Sequence, residues 1–191
     1  MVEIERKLFI ALFSSLVVIS AKAQNVISLK EVREAGLRVV EITTLNGEEP
    51  QGDSIKSPVR EDTYNYIYKN KVPCQVVITL NSDTLYDSGA YEKDSAGAVI
   101  RINGNTSAFY SHILNMPYKL KLENKEDLLG RGDHHRYADK NWRLLKNPFT
   151  LNTIIGMKLS EMMGMEWTAA FVPCNVVING NYRGCYLLTE T

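Results

Sequence analysis

Apolar and polar residues alternate over several stretches of the chain, and a two-residue period is typical of β-strands with one buried face. The clearest example is PYKLKLE, in which Tyr118, Leu120 and Leu122 share one face while Lys119 and Lys121 share the other. Further strand-like patterns occur in the segments LRVVEITT, VPCQVVITL, AVIRI and CNVVINGNYRGCYLL. Turn residues separate these segments, so the first half of the chain predicts a β-meander.

One segment departs from this alternation and has the spacing of a helix. In NPFTLNTIIGMKLSEMMGM, the apolar residues Ile155, Leu159 and Met162 recur at helical spacing, and Gly164 is suited to end the helix. Strands, one principal helix and a further hairpin together predict an α+β domain built on a mainly antiparallel sheet.

The first 23 residues have the pattern of a secretory signal peptide. Arg6 and Lys7 precede the apolar run LFIALFSSLVVIS, and a small-x-small site predicts cleavage after Ala23. An apolar run of about 13 residues is shorter than a spanning helix needs, so export is favoured over a retained anchor helix. The predicted organisation is a signal peptide at 1–23, a linker or short helix at 24–36 and one domain at 37–191. The protein is then secreted, periplasmic or on the cell surface.

The charge balance argues against some classes of partner. The chain has 22 basic and 22 acidic residues, so its formal net charge is zero. A broad positive surface for nucleic acid or anionic lipid is therefore not expected, and we predict no nucleic-acid partner. We also predict no membrane span after the leader. A small local basic site remains compatible with this balance.

Three cysteines are too few for a disulfide scaffold, but two of them flank a predicted hairpin. Counting outward from the Asn179-Gly180 turn places Cys174 opposite Cys185. Facing Cα atoms at such a hydrogen-bonded pair lie about 5.5 Å apart, within the range of a disulfide. A cross-strand disulfide and two buried free thiols are therefore both compatible with the sequence.

The loop between two predicted strands is a candidate for chemistry. NGNTS, from Asn103 to Ser107, combines a glycine with small polar side chains, and such a loop can present backbone N–H groups to an anion. A lysine on the strand after a phosphate-covering loop, here Lys119 or Lys121, can approach a nucleotide phosphate. An ordinary turn and a solvated strand face explain the same residues.

Other motifs in the chain give no site. HRYADKN superficially resembles a kinase catalytic loop, but Asp139 follows His135 by four residues instead of two, and Asn141 follows Asp139 by two instead of five. His134 and His135 are adjacent, so their side chains point apart and make a poor metal pair. We therefore assign no catalytic residue and no metal ligand in this chain.

Several segments together resemble the CotH kinase family, named for spore coat protein H, whose members are atypical secreted or surface protein kinases. In the family's order and spacing, they are LRVVEITTLNGEEP, VPCQVVITLNSDTLYDSG, IRINGNTS, MPYKLKLE, LLG, NWRLL, EMMGM and NVVINGNYRGCYLLTE. They span most of residues 37–190. The resemblance implies that residues 37–191 fold like the N-terminal lobe of an atypical protein kinase.

The resemblance also implies a nucleotide site with ATP and Mg²⁺ as cofactors. Lys121 rather than Lys119 would be the nucleotide lysine, and Glu161 on the predicted helix would be its ion-pair partner. The loop residues that would cover the phosphates are Asn103, Gly104, Asn105, Thr106 and Ser107.

The implied function is the N-terminal nucleotide-binding part of an exported kinase that transfers phosphate from ATP to protein hydroxyls. The catalytic aspartate and the Mg²⁺ ligands of kinases belong to a C-terminal lobe. The resemblance places no such lobe within residues 1–191, so we expect this chain alone to be inactive. The alternative is a non-catalytic secreted or cell-surface binding module on the same scaffold. The sequence does not identify the protein substrate or the partner.

Overall fold

The computed structural model describes residues 27–56, 64–104, 116–146 and 150–191. The chain divides into two compact units, residues 1–32 and 33–191. Helix α1 (Leu29–Glu34) begins in the first unit with a capping box. Its Glu31 N–H donates to Ser28 Oγ at 3.2 Å, and the Ser28 N–H donates to the Glu31 carboxylate at 2.8 Å. The predicted leader, residues 1–23, lies outside the described residues.

The described residues of the second unit form ten strands. They are β1 (Arg38–Thr44), β2 (Gly52–Lys56), β3 (Tyr64–Lys69), β4 (Val72–Leu80), β5 (Asp83–Asp87), β6 (Ala98–Ile102), β7 (Tyr118–Glu126), β8 (Asp139–Leu145), β9 (Phe171–Ile178) and β10 (Asn181–Glu190). Strands β2 and β3 form a two-stranded ribbon. The others form one sheet in the order β1-β9-β10-β8-β7-β6-β4-β5.

The large sheet closes on itself because β4 also pairs with β1. Seven strands therefore form a closed barrel, and β5 is attached to β4 beside the closure. Neighbouring strands of the sheet are antiparallel except β1 and β9, which are parallel. A single strand, β1, thus joins β4 from the first half of the chain to β9 from the last part.

The interior of the barrel is the hydrophobic core of this unit. Tyr118, Leu120 and Leu122 are at most 2% exposed, which confirms the face predicted for this strand. The alternation arises because successive side chains of a strand point to opposite faces of the sheet. The other strands contribute Val40, Ile42, Val72, Cys74, Val76, Ile78, Ala98, Ile100, Trp142, Leu144, Cys174, Val176, Ile178, Tyr186 and Leu188 in the same way.

The helical segments of the second unit are short and add little to this core. They are a 3-10 turn at Leu45–Gly47, the single turn α2 (His134–Tyr137) and α3 (Thr150–Met162), which forms where the sequence predicts a helix. The apolar stripe of α3 is exposed, with Ile155 at 49%, Leu159 at 51% and Met162 at 82%. No helix in the described part of the chain is long and apolar enough to cross a membrane.

The predicted α+β fold, a mainly antiparallel sheet with one principal helix like a kinase N-terminal lobe, is therefore wrong. An open sheet needs another element to cover its apolar face. Here the sheet curls until β4 meets β1, so the apolar faces of the strands cover one another. The principal helix is not required to complete the core, and its apolar stripe remains exposed.

A bulge in β10 changes the predicted register of the last hairpin. The chain turns at Asn179 and Gly180 as predicted, with positive φ values of 50° and 75°. The register then shifts between Tyr182 and Gly184, so Arg183 is an extra residue that has no partner position on β9.

This shift overturns the predicted pairing of two cysteines. Cys185 lies opposite Asn175, and Cys174 lies opposite Tyr186. A one-residue shift moves a side chain to the other face of a sheet, so Cys174 is buried while Cys185 is exposed. Both thiols are free. Neither alternative that the sequence left open for Cys174 and Cys185, a cross-strand disulfide or two buried thiols, is observed.

Candidate functional site

Three cationic residues lie in one row across neighbouring strands on the outer face of the barrel. Arg101 of β6 lies opposite Lys119 of β7, and Lys119 lies opposite Arg143 of β8. Each alternates with residues that point into the core, so the row follows from the same two-residue period that fills the barrel. A second row beside it places Lys121 between Val99 and Asn141.

These strands form the floor of a groove of about 370 Å³, which we call the β6–β8 groove. Five of its ten lining residues are Lys or Arg, and two are Asp or Glu, so the groove is positively charged. The lining residues are Lys71, Tyr91, Lys93, Asp94, Val99, Arg101, Lys119, Lys121, Glu123 and Asn141.

The cations of the groove disfavour one another's charged state. Burial lowers the pKa of Lys119, and Arg101 and Arg143 lower it further, while Asp139 acts in the opposite direction. Burial and Arg101 also lower the pKa of Lys69, which is at the end of β3 and does not line the groove. The ion pairs found in the described ranges include no carboxylate partner for Arg101, Lys119 or Arg143. Among the described residues, the row therefore carries positive charge that no ion pair neutralises and that Asp139 offsets only in part.

A loop between β5 and β6, residues 88–97, supplies one wall of the groove. Its Asp94 N–H donates to the Glu123 carboxylate at 3.0 Å. Asn124 Nδ2 donates to the Ser95 carbonyl at 2.6 Å. Both acceptor and donor side chains belong to β7, so the wall is tied to the strand that carries Lys119 and Lys121.

The same loop depends on one glycine. Gly97 has a φ of 80°, and a Cβ at this position would lie 2.5 Å from Tyr91 Cα. Such a contact is too short for any real side chain, so the close approach requires glycine. Gly97 thereby allows the backbone of Tyr91, a residue of the groove lining, to approach closely.

The structure places some of the predicted site residues at this groove or beside its strands. Lys121, the predicted nucleotide lysine, lines the groove with an exposed side chain. The Asn103 N–H donates to the Pro117 carbonyl at 2.8 Å. Gly104 has a φ of 76°, and its carbonyl accepts a hydrogen bond from Lys69. The other predicted loop residues, Asn105, Thr106 and Ser107, lie outside the described residues.

Glu161 does not share this site. Its carboxylate accepts a hydrogen bond from Lys158 Nζ at 2.7 Å, one turn earlier on α3. It lines a different cavity, together with Met157 and Phe171 among others. The structure therefore brings Glu161 to Lys158 and not to Lys121.

Sequence reasoning missed Arg101, which lines the groove, and Arg143, which lies opposite Lys119 but does not line it. Arg101 and Arg143 occupy outward positions in AVIRI and NWRLL, and the alternation of those segments would have placed both on the outer face. Alternation alone does not say which strands are neighbours. The row can be identified only once the strand order β6-β7-β8 is known, because that order makes the three strands neighbours.

The side chains of the groove suit phosphate groups. Lysine and arginine bind phosphate oxygens through charge-assisted hydrogen bonds. In the parts of the chain that the structure describes, no three His, Cys, Asp or Glu side chains come together as a group that could hold a metal ion. Asp94 and Glu123 are the carboxylates of the groove, and they are the residues that could meet a Mg²⁺ ion carried by a nucleotide.

No protein-family model matches the sequence, and no curated protein matches it. The resemblance to CotH kinases therefore rests on the segments quoted above, and the function has to be argued from the β6–β8 groove.

Proposed function

We propose that the second unit binds the phosphate groups of a nucleotide, with ATP as the ligand class, in the β6–β8 groove. The observation that carries this proposal is the row in which Lys119 faces Arg101 on one side and Arg143 on the other, and Lys119 and Arg101 both line the groove. Like charges at facing positions destabilise a sheet. A bound polyphosphate would place negative charge over the row and would offset this repulsion.

The protonation of Lys119 supports the same proposal. Burial and its cationic neighbours lower the pKa of Lys119 in the ligand-free protein. An anion next to a lysine favours the charged form and raises its pKa. Polyphosphate binding should therefore be accompanied by proton uptake at a pH where Lys119 is partly deprotonated.

In this proposal the protein is an exported, CotH-like nucleotide-binding module. Lys121 and Lys119 bind phosphate oxygens, and Mg²⁺ enters with the nucleotide. We assign no described residue to phosphoryl transfer. The closed barrel and the pairing of Glu161 with Lys158 favour this binding role over the kinase role that the resemblance implies.

Calorimetric titration of the full chain with ATP, tripolyphosphate, AMP and adenosine tests the proposal. We expect ATP and tripolyphosphate to bind, AMP to bind more weakly and adenosine not to bind, because the phosphates carry the recognition. Raising the salt concentration should weaken binding, because salt screens partly exposed charges. Binding of adenosine as strong as that of ATP would contradict the proposal.

Two variants and a matched control locate the site. Lys119→Ala and Lys121→Ala each remove one cation of the groove, and each should weaken ATP binding by about tenfold, which corresponds to one charge-assisted hydrogen bond. Lys125→Ala removes an exposed lysine of the same strand that does not line the groove, so it should leave ATP binding unchanged. Equal losses in all three variants would indicate attraction to overall charge and not to this groove.

A further inference from the structure

Helix α3 carries an apolar stripe that the described part of the chain leaves uncovered. Leu151, Ile155, Leu159 and Met162 follow one another at intervals of three or four residues, so they share one side of the helix. Met163, which comes directly after the helix, borders them. Each of these five residues is about half exposed or more, and we call them the α3 stripe.

The stripe lies on the side of α3 that is turned away from the barrel. Ile154 and Met157 lie on the opposite side of the helix and are half-buried. Met157 also lines a cavity together with Phe171 at the start of β9. One side of α3 is therefore engaged by its own unit, while the stripe makes the outer side apolar.

The α3 stripe is large for the surface of a monomer. Its exposed area is on the order of 700 Å², whereas the largest apolar patch on a typical monomer is about 300–600 Å². Each partner of a stable protein complex contributes roughly 800 Å² to the interface. The stripe and the polar residues around it therefore supply about the area that one side of a dimer needs.

The spacing of the stripe matches a second copy of the same helix. Leu151 and Met162 lie at equal distances on either side of a point next to Gly156, and Ile155 and Leu159 lie at nearly equal distances from it. A two-fold axis at this point places Leu151 of one copy against Met162 of the second copy. It places Ile155 against Leu159 in the same way. Such self-complementarity is what an isologous interface requires.

Gly156 itself is the middle residue of α3 and lies beside the stripe. Glycine destabilises a helix interior relative to alanine. Outside the helix's own backbone, no heavy atom of the described chain lies within 4 Å of a Cβ built at Gly156, so packing within one chain does not require glycine there. At the centre of a symmetric helix pair the two helices cross, and a residue without a side chain lets their backbones approach closely.

The charges of α3 favour a second copy over a charged partner. Lys158 and Glu161 are the charged residues of this helix, and they pair with each other at 2.7 Å. No net charge of α3 therefore repels an identical helix. An anionic membrane or a nucleic acid would call for a basic face beside the stripe, and one paired lysine does not provide it.

We propose that two copies of this chain associate through the α3 stripe, as an antiparallel and two-fold symmetric helix pair that crosses near Gly156. The apolar side chains of the stripe are then buried between the two copies. This association does not depend on the phosphate binding proposed for the β6–β8 groove.

Sedimentation equilibrium of the full chain, from about 1 to about 300 μM protein, tests the proposal. We expect the wild type to change from monomer to dimer within this range, as for an interface of small size. Leu159→Asp places an unpaired charge in the stripe of both copies and should weaken the dimer at least about tenfold. Leu85→Asp is the matched control, because Leu85 is 49% exposed on β5 and lies outside the stripe. It should dimerise like the wild type.

Two outcomes of this experiment would overturn the proposal. One is a wild type that stays monomeric over the whole range. The other is a Leu159→Asp protein that associates as strongly as the wild type. Association through another apolar segment, such as residues 8–20, would give this second outcome, because that segment is unchanged in the variant.

Cysteine cross-linking tests the antiparallel arrangement, in a Cys185→Ser background that lacks the exposed native thiol. Proteins with Leu151→Cys and with Met162→Cys should form a mixed disulfide dimer when they are oxidised together. Either protein oxidised alone should form at least about tenfold less dimer, because identical positions lie too far apart for a disulfide in an antiparallel pair. Disulfide dimers of each variant alone, or no mixed dimer, would overturn the antiparallel geometry.

Gly156→Gln tests the crossing point. Glutamine favours a helix, so the variant should raise the melting temperature of the monomer. Its side chain should hold the two helices apart and weaken the dimer at least about tenfold. A Gly156→Gln protein that dimerises as tightly as the wild type would refute the role of Gly156.

Discussion

Arg101 on β6 and Lys119 on β7 face each other directly on the outer surface of the barrel, and Arg143 extends the row from the other side. Like charges at facing positions of a strand pair are destabilising by roughly 0.2–1 kcal/mol. In the described structure Asp139 offsets part of this repulsion at Lys119, but no ion pair found there involves any of the three cations. The row therefore destabilises the ligand-free fold, and a ligand with several negative charges would remove this destabilisation.

Replacing Lys119 by glutamine should stabilise the ligand-free protein. Lys119→Gln keeps a long polar side chain but removes the charge between the two arginines. We expect the free energy of unfolding in urea to rise by about 0.5 kcal/mol. The same variant should bind ATP more weakly, so stability and binding should change in opposite directions.

Lys125→Gln is the matched control for this variant, because Lys125 is an exposed lysine of the same strand outside the groove. It should change the free energy of unfolding by less than Lys119→Gln does. The gain from Lys119→Gln should also shrink at high salt, where exposed charges are screened. A lower stability for Lys119→Gln at low salt would show that Lys119 makes favourable contacts that outweigh the repulsion.

Local sequence patterns predicted the strands and their faces, but not the closure of the barrel. The alternation of Tyr118, Leu120 and Leu122 depends only on the geometry of one strand, and their burial confirms it. The closure depends on β1, where Val40 pairs with Ile78 on one side and Val176 on the other. These partners are distant in sequence, and no pattern within β1 specifies them.

The bulge at Arg183 shows a second limit of prediction from local sequence patterns, this time for the register of a hairpin. Counting from the Asn179-Gly180 turn assumes an uninterrupted ladder, and one inserted residue reverses every later side chain. The bulge is marked in the local backbone by Gly184, which has a positive φ of 102°. The candidate site shows the same division: the alternation placed Lys119 and Lys121 on one face of their strand, while the positions of Arg101 and Arg143 beside Lys119 required the order of the strands.

Gly97 should be intolerant of any side chain. In Gly97→Ala the new Cβ would lie 2.5 Å from Tyr91 Cα and would also be held at a positive φ. We expect a loss of at least about 2 kcal/mol in the free energy of unfolding, and weaker ATP binding because the wall of the groove moves. Urea denaturation and calorimetric titration measure the two effects.

Gly132→Ala separates the clash from the backbone strain. Gly132 has a similar φ of 86°, but no heavy atom lies within 4 Å of a Cβ built there. This variant should lose only about 1–2 kcal/mol, the cost of the left-handed conformation, and should bind ATP normally. Equal losses of stability in both variants would mean that the loop yields to the new methyl group without cost.

The three cysteines should differ sharply in reactivity. Cys185 is exposed, while Cys74 and Cys174 are buried. A thiol reagent such as DTNB should label one thiol rapidly in the native protein and all three in denaturant, and Cys185→Ser should remove the rapid reaction. Mass spectrometry of the native protein after mild oxidation should show no disulfide between Cys174 and Cys185. Detection of that disulfide would contradict the observed register.

Alkaline pH should destabilise the protein through its buried thiols. Burial raises the pKa of Cys74 from 9.0 to about 12. Above pH 9 an unfolded thiol ionises while the folded one stays protonated, so the unfolded state binds fewer protons and stability falls as pH rises. The contribution of Cys74 to the free energy of unfolding is fully present below pH 9 and is lost by up to about 1.4 kcal/mol for each pH unit above it.

Urea denaturation at several pH values from 7 to 10.5 measures this loss. The free energy of unfolding should fall less steeply with pH for Cys74→Ala than for the wild type. Parallel curves for the wild type and Cys74→Ala would mean that water reaches this thiol in the folded protein.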